Sequence, residues 1–76
     1  MKDLLYLIVQ AIVDQPEKVS VNETNGSNVV VLEVTVDKTD IGKVIGKRGR
    51  TVQAIQTIIW GVASQKGTKC LVEIMD

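Results

Sequence analysis

Three glycines and four cations fall within ten consecutive residues, Ile41-Gly42-Lys43-Val44-Ile45-Gly46-Lys47-Arg48-Gly49-Arg50, and no acid interrupts them. A Gly-x-x-Gly turn from Gly46 to Gly49 lets the backbone come close to a ligand, because neither end carries a Cβ. A helix beginning just after such a turn aims unpaired N–H groups and a partial positive charge at the same place. Lys47 and Arg48 occupy the middle of the turn, where they can project toward phosphates, and Lys43 and Arg50 flank it. The chemistry this combination serves is anion binding. Ile41, Val44 and Ile45 precede the turn. With Val52 or Ile55 they can wall an aliphatic groove in which bases lie, their edges read by backbone and side-chain hydrogen bonds.

Other glycine motifs fail on spacing. Between Gly42 and Gly46-Lys47 stand three residues where a nucleotide-triphosphate loop needs four, and Arg48 stands where that loop needs Ser or Thr. A dinucleotide fingerprint requires glycine at position 44, which is Val44. A helix-pairing Gly-xxx-Gly is formally present at Gly42 and Gly46, but without the long apolar segment that would give it meaning. Enzymatic chemistry finds little to work with. There is no histidine, and no pair of carboxylates has a spacing suited to acid-base or metal work. The expectation is a non-enzyme with neither cofactor nor metal.

The formal net charge is zero, which by itself argues against a nucleic-acid partner. Its distribution argues for one. Outside the central stretch the chain carries five basic residues against nine acidic ones, so the positive charge is focused at one site.

The elements that must position this site follow from periodicity. Residues 3–15 place Leu4, Leu5, Ile8, Val9, Ile12 and Val13 on one helical face, with Pro16 expected to end the helix. Residues 18–23 alternate as a short strand. Residues 24–28 hold an Asn25-Gly26 turn signal, both residues tolerating positive φ, and residues 29–37 return as a strand with Val30, Leu32, Val34 and Val36 facing inward. Thr39 or Asp40 offers a helix cap before a short helix over residues 41–45. A second helix runs from Arg50 or Thr51 to about Ser64, with Val52, Ile55, Ile59 and Val62 on its buried stripe. Gly67 closes the connection to a last strand, residues 69–75, with Cys70, Val72 and Ile74 inward. The order is α-β-β-α-α-β. This predicts an α+β two-layer sandwich, with a three-stranded sheet, mixed if the last strand pairs in parallel, and all three helices on one face.

At 76 residues and 45% apolar content the chain is expected to form one domain, residues 1–76, with a core that needs no metal. Its single cysteine forbids an internal disulfide and fits a reducing cytoplasm. The apolar run over residues 4–13 is too short to span a bilayer and lacks a signal-peptide cleavage site, so no membrane association or processing is expected.

Val44-Ile45-Gly46-Lys47-Arg48-Gly49-Arg50-Thr51-Val52 resembles the KH-domain signature, Ile-Gly-x-x-Gly followed by an aliphatic residue three places on. The element order resembles the bacterial type II KH fold. The whole length resembles the small single-KH bacterial RNA-binding proteins of the KhpA family. That resemblance covers essentially all of the chain. It implies that Gly46, Lys47, Arg48 and Gly49 clamp the backbone of about four unpaired nucleotides, with Ile41, Gly42, Val44 and Ile45 in the groove's helical wall. Residues 24–28 would correspond to the variable loop that closes the groove from the opposite side. The implied partner is single-stranded RNA, bound with low sequence specificity. Single-stranded DNA stays open, since no group is placed to contact a 2′-hydroxyl. The resemblance also implies a homodimer, or a heterodimer with a larger KH-containing protein.

The remaining residues carry blander expectations. Cys70 reads as a small buried apolar side chain. Tyr6 and Trp60 lie on helices away from the loop, suited to packing or an interface rather than base stacking. Ile58 and Trp60, outside the core stripe, mark an apolar patch for a dimer. The rival to RNA binding is a KH fold kept as a protein-interaction module with its loop idle. Four clustered cations speak against it.

Overall fold

The structure, a computed structural model, describes residues 1–75. Six regular elements and three short 3-10 turns make up the chain: α1 (Lys2–Ile12), β1 (Ser20–Asn25), β2 (Val29–Thr35), α2 (Ile41–Ile45), α3 (Arg50–Gln65) and β3 (Lys69–Ile74), with turns at Pro16–Lys18, Lys38–Asp40 and Lys47–Gly49. The sheet order is β1-β2-β3, with β1 antiparallel and β3 parallel to the central β2. The three helices cover one face, and the architecture is the expected α+β sandwich with a mixed sheet.

Helix α1 buries Leu5 and Val9, with Val13 buried just past its end. It stops earlier than Pro16 requires. Val13 is already extended at φ −99°, ψ 158°. The cause is tertiary: the Asp40 carboxylate accepts the Asp14 N–H at 3.2 Å and the Gln15 N–H at 3.0 Å. Those two donors would otherwise have continued the helix. Pro16 opens a 3-10 turn, where its missing N–H costs nothing, and β1 accordingly begins at Ser20 rather than at position 18.

The hairpin also departs from expectation. Neither Asn25 nor Gly26 takes positive φ. Asn25 still pairs with Val30, and Gly26 N–H donates to the Val29 carbonyl at 2.7 Å. The connection is residues 26–28, and it turns without any residue in the left-handed region.

Inward-facing Val19, Val21, Leu32, Val34 and Cys70 meet Leu5, Val9, Val44, Ile55, Ile59 and Ala63 from the helices in one core. Each fully buried aliphatic side chain contributes about 1.5–3 kcal/mol relative to exposure. Helix α3 ends in a Schellman arrangement. Gly67 has φ 71°, Thr68 N–H donates to Ala63 and Gly67 N–H to Ser64, both at 3.1 Å. The chain then turns back into β3, so α3 and β3 run antiparallel and the start of α3 lies nearest the Ile74 end. No helix among the described residues is long and apolar enough to cross a membrane.

Candidate nucleic-acid interface

The loop between α2 and α3 has a backbone that few sequences could adopt. Gly46 sits at φ 77°, ψ 172°, Arg48 at φ 58°, ψ 26° and Gly49 at φ 73°, ψ 14°. The region of Gly46 is essentially restricted to glycine. Arg48 is the one non-glycine residue with positive φ among the described residues, a strain of about 1 kcal/mol. The two glycines have different roles. A Cβ on Gly46 would stand 2.8 Å from the Thr51 backbone nitrogen, whereas one on Gly49 would meet nothing within 4 Å. Gly46 thus lets α2 abut the start of α3, and Gly49 keeps an open approach. Gly49 is also the N-cap of α3 and supplies no capping side chain, so the N–H groups of Thr51 and Val52 have no side-chain cap.

The cations divide. Lys47, Arg48 and Arg50 are exposed, and no acid among the described residues pairs with them. Lys43 is engaged: its ammonium bonds Asp14 and lies 3.7 Å from the buried Asp40 carboxylate. The hydrogen bond to Asp14 holds the Lys43 pKa above the ordinary lysine value. The focused charge is therefore three free cations and one that ties α2 to the exit of α1. Of the two residues the sequence offers as a helix cap, Thr39 and Asp40, the N-cap is Asp40. It makes no cap bond to α2, its oxygens being spent on Asp14 and Gln15. Asp37 caps the preceding turn instead, accepting from the Thr39 N–H at 3.0 Å and the Thr39 hydroxyl at 2.6 Å. Those bonds hold the Asp37 carboxyl below its usual range.

The aliphatic wall is narrower than the sequence implies. Val44 is fully buried and Ile55 is 3% exposed, so both belong to the core and face no groove. Ile41 and Val52 are half-buried, and Gly42 and Ile45 are exposed. These four form the apolar surface beside the loop. The loop at residues 26–28 joins the strands at the Lys69 end of β3, the far end of the sheet from the glycine turn.

Sequence reasoning missed Gln56. Its Nε2 donates to the Cys70 carbonyl at 2.9 Å, and its Oε1 accepts the Val72 N–H at 2.7 Å. One side-chain amide thereby pairs with the β3 edge as a neighbouring strand would. Ile58 and Trp60 are 49% and 50% exposed but flank the buried stripe on opposite sides of α3, two residues apart on a helix being turned away from each other. Trp60 borders a hollow of about 410 Å³ with Ser64, Thr68, Lys69 and Leu71. Cys70 is buried, and desolvation pushes its thiol pKa up, which suits packing and not reactivity.

A three-stranded mixed sheet under three helices, with a Gly-x-x-Gly turn between the second and third, defines a KH domain of the type II arrangement. Comparison with protein families matches KhpA/KhpB, KH domain, over residues 2–74. The chain belongs to that family. It is 49% identical over 76 residues to the RNA-binding protein KhpA of Chlamydia trachomatis, covering 100% of this chain and 97% of that one. It is 44% identical over 75 residues to the KhpA of Clostridium perfringens, covering 99% and 100%. With the KhpA of Aquifex aeolicus it shares 38% over 76 residues, covering 100% and 96%. No solved structure matches the chain.

Proposed function

We propose that the chain binds single-stranded RNA, with the 46–49 loop and the start of α3 holding the phosphate backbone. The observation that carries this is the coincidence, at one place, of left-handed backbone at Arg48 and Gly49, an uncapped helix start, and the cations Lys47, Arg48 and Arg50, which no acid among the described residues pairs. The relatives' shared description as RNA-binding proteins supports it. Lys47 and Arg48 contact phosphates and Arg50 adds to the field, while Lys43 positions α2. About four nucleotides fit such a module, with bases against Gly42, Ile45 and the half-buried Ile41 and Val52. Sequence selectivity is low.

Salt dependence tests this reading. Two or three phosphate contacts on a single strand give a slope near −0.7 each, so affinity for an oligouridylate falls on the order of tenfold between about 50 and 200 mM salt. A flat dependence would remove the electrostatic clamp. The same titration with oligodeoxythymidylate separates RNA from DNA.

Self-association through α3 is the second reading, favoured by the half-exposed Trp60 over its hollow. A homodimer or a heterodimer with a larger KH-containing protein would strengthen weak RNA binding by avidity. Light scattering of the wild type, Trp60→Glu and Ile58→Glu decides which flank is used. A monomeric wild type excludes the homodimer.

A further inference from the structure

We propose that Gln56 ends the base-reading part of the groove, limiting readout at the sheet edge to the Ile74 end of β3. This rests on the RNA-binding reading above. In a parallel ladder successive residues turn their backbone N–H and C=O groups to alternate sides. Met75 N–H donates to the Val34 carbonyl, so the odd-numbered residues of β3 serve β2. Cys70, Val72 and Ile74 therefore turn theirs outward along the edge, the donors and acceptors that a base laid beside the strand would use. The Gln56 amide already occupies the Cys70 carbonyl and the Val72 N–H. Helix α3 rises about 1.5 Å per residue, which places Gln56 about 9 Å from Arg50. The bridge thereby closes to a base the outward Cys70 carbonyl and Val72 N–H in the middle of β3. Ile74, at the end nearest the glycine turn, keeps its outward groups. Gln56 is thus a specificity-determining residue that sets how many bases are read, without touching phosphate.

Gln56→Met keeps the unbranched reach but supplies no amide. Anisotropy titrations of the wild type and this variant with oligouridylates of three to eight nucleotides read the groove length. The wild type should gain affinity up to about four nucleotides and then level off. The variant should gain about three- to tenfold more over the next one or two nucleotides, from the two edge groups it frees. Superposed length profiles overturn the inference while leaving RNA binding intact. Absence of binding by the wild type at every length overturns the RNA-binding reading, and this one with it. A measurement on the wild type alone guards against a variant that does not fold. On addition of octauridylate, the Ile74 amide resonance should shift while the Val72 amide and the Gln56 side-chain amide do not. Equal shifts at all three would show a base displacing the bridge, and would overturn the inference.

Discussion

Gly46 and Gly49 are glycines for different physical reasons, and substitution separates them. Gly46→Ala places a Cβ against the Thr51 backbone nitrogen at a φ of 77°, so backbone must move. We expect a loss of about 3 kcal/mol, from the glycine-only conformation and the clash together. Gly49→Ala meets open space and bears only the left-handed penalty, about 1 kcal/mol. Urea unfolding of the two variants reads the difference, and equal losses would contradict the assignment. The same scale distinguishes the cations. Lys43→Met removes a charge already engaged by Asp14 and Asp40, so it should weaken RNA binding less than Arg48→Met does. At high pH its effect on stability has a definite sign. A raised folded pKa means that the contribution is full below the ordinary lysine pKa and is lost as pH climbs through the raised value. The stability difference between wild type and Lys43→Met should therefore shrink in strong base.

At the scale of elements, one buried carboxylate, beside the Lys43–Asp14 pair, joins the exit of α1 to the start of α2. Asp40→Ala leaves the Asp14 and Gln15 N–H groups without their acceptor, for an expected loss of about 2–4 kcal/mol. Chemical denaturation measures it, and faster hydrogen exchange at those two amides locates it. Asp37 carries the opposite pH signature to Lys43. Its folded pKa is lowered by the bonds from Thr39, so its contribution is present above the ordinary aspartate pKa and fades as pH falls through the lowered value. What was legible in the sequence follows the reach of the signal. Strand alternation, the helical stripe and the glycine turn are local patterns, and α3, β3 and the loop stand where periodicity places them. The Asp40 bonds span 25 and 26 residues, the Lys43–Asp14 pair 29 and the Gln56 bridge 14 and 16. No periodicity encodes such polar pairs, so the early end of α1, the engaged Lys43 and the closed β3 edge were unreadable. Val44 failed for a related reason: a five-residue helix shows too little pattern to tell its core side from its groove side.

Across the whole molecule, charge is spent on function and tolerated elsewhere. Glu33 and Glu73 stand directly opposite in the β2–β3 register, and like charges so placed are unfavourable. Glu73→Gln should stabilise the fold by about 0.5 kcal/mol, read as a raised urea midpoint, and leave RNA affinity unchanged. The cations, by contrast, gather at the end of the sheet where α2 meets α3. The most direct test of that placement is RNA binding by the wild type and by a Lys47→Asp, Arg48→Asp double variant whose folding is confirmed by circular dichroism. If the loop is the clamp, the wild type binds short single-stranded RNA and the folded double variant loses at least tenfold in affinity, as expected when two phosphate contacts become repulsive. Equal binding by the two proteins would contradict the account.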